Sequence, residues 1–326
     1  MHDNSSEPMY GTPHPNALFV FALISNIIVG CLGLVGSLFV ILVIYANKSL
    51  RTPCFQLVAG GSIGSVMVAI YYLGRGIDKI GELTGKMLGL ERTVLVCLLT
   101  TGLEGLFGIP YHAVVTLFVG VDRTLSLLFP VKYRAFGKTY VIYMLCLATV
   151  FVVVEEVVAF VTAPLRTAII CRDFPEALEP RFIESFAAIN LFLCITIVAV
   201  YGAMLICFII RKRNCRKQAA EYSMFMKQQS AAMPTVMLMT VLYFFCGIVP
   251  EILINVALNF DPLSNSWVDA CMVFGDFLKV TSSLVEVVSL MICSQNFREK
   301  GKKLLRLRQK APVTTIMVTA GTRSVL

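Results

Sequence analysis

The run ALFVFALISNIIVGCLGLVGSLFVILVIYA, Ala17–Ala46, holds thirty residues and no charge. About 20 mostly apolar residues suffice to cross a bilayer as a helix. Six further segments meet the same criterion: Cys54–Gly74, Thr93–Val121, Thr139–Leu165, Phe186–Ile210, Ser230–Leu258 and Ala270–Ser294. Each is far longer than the roughly ten residues of a barrel strand, and in lipid a single segment can satisfy its own backbone only as a helix. The whole chain agrees with this reading. It has 326 residues, 57% hydrophobic and only 15% charged, against about 25% charged in an ordinary soluble domain. Its mean hydropathy is +0.79. The 22 Phe and 11 Tyr exclude a disordered chain. The expected fold is an all-α membrane protein, a bundle of seven transmembrane helices.

The basic residues orient the bundle. With the N-terminus outside, the inner segments carry 20 of the 28 Lys and Arg, the outer segments seven, and Lys279 lies within a span. The net charge of +8 is thus a matter of topology and implies no nucleic-acid partner. Residues 1–16 are expected to form an extracellular leader with a glycosylation sequon at Asn4, residues 17–294 the seven-transmembrane domain, and residues 295–326 a cytoplasmic amphipathic basic helix and tail. In that tail, Phe297 to Lys310 mixes Phe297, Leu304, Leu305 and Leu307 with seven basic residues, a pattern suited to the anionic inner leaflet. The 11 Cys lack metal-ligand spacing, and three His make no convincing metal site, so neither metal nor cofactor is expected. No nucleotide-binding loop or hydrolase elbow occurs, and an enzyme is not expected.

Asp122-Arg123-Thr124 falls where the third span meets the cytoplasm, followed by Pro130 and Tyr133. A guanidinium there can be held by the neighbouring carboxylate at rest and released when the helices part. A snorkelling arginine at a helix end is the plainer alternative. Cys97 lies 25 residues before Asp122, about 37 Å along a helix and so one membrane crossing away. Cys171 is the only cysteine between the fourth and fifth spans. Both face the oxidising side, where a disulfide would pin that loop over the bundle mouth; two unpaired thiols are the alternative.

These residues together resemble the rhodopsin-like G-protein-coupled receptors. The run Gly120-Val121-Asp122-Arg123-Thr124-Leu125-Ser126-Leu127-Leu128-Phe129-Pro130-Val131-Lys132-Tyr133-Arg134 is most similar to the serpentine chemoreceptors of nematodes, particularly the Srsx class. Gly33-Leu34-Val35-Gly36, Leu50-Arg51, Pro250 and Phe297-Arg298 fit the same pattern. The resemblance implies a receptor for a small molecule or short peptide, coupled to a heterotrimeric G protein, in the plasma membrane. It also implies an activation switch at Asp122, Arg123, Tyr133 and Pro250. The chain departs from the family pattern at Ser37, Gly64 and Ile248, and Glu286-Val287-Val288-Ser289-Leu290-Met291 replaces the usual Asn-Pro-x-x-Tyr run. Gly60, Gly61 and Gly64 suit close helix packing instead.

Glu104, Glu155, Glu156, Glu251, Asp276, Lys279 and Glu286 lie within spans, where an ionisable group is costly unless paired or wet. All but Glu286 fall in the outer half or near the middle. They are expected to aim five carboxylates and one ammonium at one level of the bundle. Glu104, Glu251, Asp276 and Lys279 are the candidate ligand contacts, with Glu104 the sharpest because it follows Cys97 by seven residues. Asp276 and Lys279, three apart on one helix face, are expected to neutralise one another. Glu155 and Glu156 point about 100° apart and cannot share a cavity. The competing readings are a proton-coupled transporter using these carboxylates and a nonsignalling seven-helix scaffold receptor. A retinal photoreceptor built on Lys279 and an odorant-gated channel fit less well.

Overall fold

A computed structural model describes residues 17–83, 91–98, 103–133, 136–164, 168–170, 178–215, 234–235, 237–253 and 266–310. Eight helices carry the architecture: α1 (Ala17–Ala46), α2 (Pro53–Leu83), α3 (Leu103–Leu128), α4 (Lys138–Thr162), α5 (Pro180–Cys215), α6 (Met237–Leu253), α7 (Ser266–Cys293) and α8 (Gln295–Lys310). The protein is an all-α, multi-pass membrane bundle. Among the described residues, five helices, α1 to α5, are long and apolar enough to cross a membrane. The pair α7–α8, bent by 99°, brings the count to six if it is taken as one span, and α6 is a shorter apolar helix.

The limits of α1 coincide with the apolar run, because polar residues flank it on both sides. Its outward face, Ile28, Leu32, Val35 and Leu42, is more than half exposed, while Val40, Val43 and Ile44 are fully buried in a core cluster shared with α2. Two contrasting helical stripes are what a lipid-facing helix requires.

The second span departs from expectation by continuing past Gly74 to Leu83. Arg75 and Asp78 therefore lie in a helix and not in an outer loop. Arg75 does not end the helix because its charge is absorbed inside the bundle: it stacks near Tyr71 and Tyr72 and reaches a carboxylate on α7. The third span was expected to start at Thr93. It is described as a short helical turn, Val94–Cys97, capped by the Thr93 hydroxyl, followed by α3. Just before the turn, Glu91–Thr93 pairs antiparallel with Ala168–Ile170, in the register Glu91 opposite Ile170 and Thr93 opposite Ala168. This two-stranded ribbon ties the approach to α3 to the chain that follows α4.

Within α6, Phe244–Ile248 winds as a π-turn just before Pro250. Proline has no N–H to give and its ring crowds the preceding turn, so a widened turn accommodates it without ending the helix. α8 packs back on the bundle through Phe297, which is fully buried and meets the edge of Phe39 at 6.2 Å. Gly301 counts against a long helix on propensity. It is retained where a Cβ would come within 3.0 Å of Phe39.

α2 and α3 approach backbone to backbone. A Cβ on Gly64 would lie 2.9 Å from the His112 nitrogen, and one on Gly108 would lie 2.9 Å from the Val68 nitrogen. Backbone cannot rotate away as a side chain can. Gly64→Ala is therefore expected to cost about 1–3 kcal/mol through overpacking. Gly74 has nothing within 4 Å of an added Cβ, so Gly74→Ala gains up to about 1 kcal/mol from helix propensity alone. Thermal unfolding of the two purified variants checks this; equal midpoints would contradict it.

Candidate functional site

At the C-terminal end of α3, Asp122 is fully buried. Tyr133 donates its hydroxyl to both carboxylate oxygens, at 2.8 and 3.0 Å. Arg123 Nε lies 3.6 Å from Asp122 Oδ2 and donates to Cys54 Sγ on α2 at 2.7 Å. The local chain explains why these groups converge. α3 ends at Leu128, and Pro130 starts a single new turn, Pro130–Tyr133, because its fixed φ suits the first helical position. The turn carries Tyr133 back over the end of α3. Burial, and then the nearby Asp122 carboxylate, push the Tyr133 phenol above its ordinary range, so it remains a donor. Tyr133 meets Phe136 edge-on at 5.6 Å, and Phe136 stacks on Tyr140 of α4 at 4.8 Å. From α5, Arg211 donates to the Leu128 carbonyl at 2.9 Å, one of the carbonyls left open at a helix end. Asp122, Arg123 and Tyr133 are thus brought together. Pro250 is not part of this cluster; it adjoins Glu251, which serves a different level.

Toward the opposite end of the bundle, the charges pair differently from the expectation. Lys279 Nζ lies 2.9 Å from Glu251 Oε1, and Arg75 Nη1 lies 2.9 Å from Asp276 Oδ2. The expected Asp276–Lys279 neutralisation is therefore incorrect. Two groups three apart on one helix share a face but run side by side, whereas groups on facing helices meet head-on. The two pairs tie α6 and α2 to α7. The Lys279–Glu251 pair is the more enclosed, with side chains 17% and 5% exposed. Beside it lies a void of about 30 Å³ lined in part by His112, Asn190, Tyr243 and Ser282, room for about two waters.

The expectation that all the outer carboxylates share one level also fails. Glu155 faces a groove between α4 and α5. Glu104 lies in α3, and its side chain falls outside the described residues, as do Asn4 and Cys171. Cys97 is fully buried and disulfide-bonded. The expected pairing with Cys171 falls on a residue outside the description, although the strand Ala168–Ile170 ends one residue before it.

A polar layer between the two levels was not foreseen as a unit. Ser62 donates to Glu286 Oε2 at 2.7 Å. Ser65 Oγ lies 3.0 Å from His112 Nδ1. His112 is buried, and the Gly61 carbonyl is 3.4 Å from the same ring nitrogen. The signals in the sequence were Glu286 within a span and the run of small residues on α2, the latter read there as packing alone. That run serves both purposes: glycines admit α3 and the Glu286 side chain closely, and the interleaved serines satisfy the polar groups that this brings near. A second small void, about 20 Å³, lies beside Thr116, Tyr201, Tyr243 and Glu286. Tyr201 of α5 donates to the Thr116 carbonyl at 3.1 Å. Polar groups on several helices therefore run from the Lys279–Glu251 pair through His112 and Glu286 toward Asp122 and Arg123. No cluster of three or more metal-ligating side chains occurs among the described residues.

The family model described as serpentine type seven-transmembrane G-protein-coupled chemoreceptor, Srsx, matches residues 30–305. No curated protein matches the chain.

Proposed function

The chain belongs to the serpentine type seven-transmembrane chemoreceptor family, Srsx, and from that premise we propose that it is a G-protein-coupled receptor for a small extracellular cue. The observation that carries this reading is the closed cluster of Asp122, Arg123 and Tyr133 at the inner end of α3. The bundle has seven spans, counting α6 and α7 separately, with the N-terminus outside and the C-terminus in the cytoplasm. The excess of basic residues on the assigned inner segments supports that orientation. The leader with Asn4 is then extracellular and open to glycosylation, and a Cys97–Cys171 bridge holds the outer loop as a lid. The β ribbon beside both positions supports that bridge.

The cue, a small molecule or short peptide, binds in the outer half, where Glu251, Lys279 and Asp276, with Glu104 on α3, supply charge. The void between the described side chains is only about 30 Å³, so binding requires α6 to shift relative to α7. Pro250 and its π-turn give α6 the place to bend. A ligand that favours the bent arrangement shifts the population toward it. At the inner face the movement frees Arg123 for a heterotrimeric G protein. α8, with its buried Phe297 and basic outer residues, rests on membrane lipids. The receptor resides in the plasma membrane, including that of sensory cilia.

Nucleotide exchange on co-expressed heterotrimeric G proteins tests the reading, with surface-displayed receptor and cationic, anionic and neutral cues. Exchange that rises with a cue and saturates supports it. Solute accumulation driven by a pH gradient, without exchange on any G protein, would replace it with a transporter. Arg75 and Lys279 already pair with Asp276 and Glu251, which favours the receptor.

A further inference from the structure

A cavity of about 510 Å³ lies between the outer halves of α4 and α5, in the size range of small-molecule sites. Phe151 and Val158 of α4 and Phe182 and Ile189 of α5 give it apolar walls. Phe151, Val158 and Ile189 are 38–46% exposed, so the cavity faces the bilayer and not the centre of the bundle.

One wall residue does not fit an apolar groove. Glu155 is 8% exposed, and neither of its carboxyl oxygens has a hydrogen-bond partner. Ala148, Val152 and Ala159 are the other buried positions of α4 in its register. Glu155 stands seven residues before the end of α4 at Thr162, about 10 Å along the helix. Its short side chain cannot reach the interface from there. A buried polar group is costly unless something hydrogen-bonds to it.

Apart from Arg181 at its rim, the cavity offers acceptors in preference to donors. The Thr162 hydroxyl donates to the Val158 carbonyl, and the Ser185 hydroxyl to the Arg181 carbonyl, both at 2.9 Å. Their protons are committed. At the rim, Glu179 and Arg181 offset one another in charge.

We propose that the groove between α4 and α5 is a binding site for a membrane-dissolved amphiphilic amine, with its ammonium on Glu155 and its apolar body against the phenylalanines. An alcohol brings a donor without charge, and a fatty acid brings the wrong charge. The site is reached from the lipid and is separate from the central cavity, so it does not depend on G-protein coupling.

The test uses the full-length receptor in phosphatidylcholine nanodiscs, photolabelled with dodecylamine carrying a diazirine at the chain end. Label is expected on the peptides of α4 and α5 that line the groove, displaced by dodecylamine but not by dodecanol or dodecanoate. Glu155→Gln is expected to lower it at least tenfold. Val158→Trp, which fills the groove and leaves the carboxyl in place, is expected to do the same, and it decides the matter if Glu155→Gln fails to fold. Label that persists in the folded variants would overturn the proposal. So would label spread equally over the lipid face of α1, or displaced equally by all three head groups.

Discussion

Replacing Lys279 with methionine lowers stability by about 3–5 kcal/mol, the usual cost of breaking a buried ion pair by removing one member. The side chains are close in volume, so the loss is electrostatic and not a packing defect. Glu251 keeps 5% side-chain exposure and loses a cation 2.9 Å away. The adjoining void is about 30 Å³ and admits too little water to replace an ammonium. Asp276 is already held by Arg75 and frees no cation for Glu251. Adding Glu251→Leu is expected to restore most of the loss, because removing both charges removes the desolvation cost with the attraction. Thermal unfolding of the two single variants and the double variant in detergent gives the coupling directly. A double variant as unstable as Lys279→Met would show that Lys279 acts through packing. The corresponding change at Arg75 is expected to cost less, since that pair is 15% and 24% exposed.

The same pairs show where reading a sequence stops. The limits of α1 are legible because thirty apolar residues stand between polar ones. The inner constellation is legible because Asp122, Arg123 and Tyr133 lie within a dozen residues of one another, and short-range geometry brings them together. Partners across helices are not legible in this way. Periodicity places Asp276 and Lys279 on one face of α7, but the choice of partner is made by α2 and α6, whose rotation and depth no local pattern encodes. The end of α2 was hidden for a related reason. Arg75 reads as a loop residue until Tyr71, Tyr72 and Asp276 surround it. His112 carried no signal at all, since a lone histidine in an apolar run gains meaning only once Ser65 and Gly61 are beside it. Glu155 was recognised as buried and charged, but its direction, away from the central cavity, depends on how α4 is turned against α3 and α5.

Removing the carboxylate at Asp122 is expected to raise cue-independent nucleotide exchange, and removing the guanidinium at Arg123 to abolish cue-driven exchange. The two side chains are neighbours in one cluster, yet opposite outcomes follow from their geometry. Asp122 holds Arg123 at 3.6 Å and accepts the Tyr133 hydroxyl proton, shared between its two oxygens. Hydrogen bonds to a charged group contribute about 1.5–3 kcal/mol. If that energy favours the closed arrangement alone, losing it shifts the equilibrium about ten- to a hundredfold toward the open one. Asp122→Ala should therefore raise basal exchange by about that factor. Tyr133→Phe, which leaves the charge pair in place, should raise it less. Arg123→Ala removes the group that the open state presents, so exchange falls to baseline while surface level and cue binding persist. Simple destabilisation cannot mimic this pattern, because it would lower surface level and exchange together in all three variants. Unchanged basal exchange in a surface-displayed Asp122→Ala receptor would mean that the buried carboxylate serves the fold of the α3 terminus and not its switching.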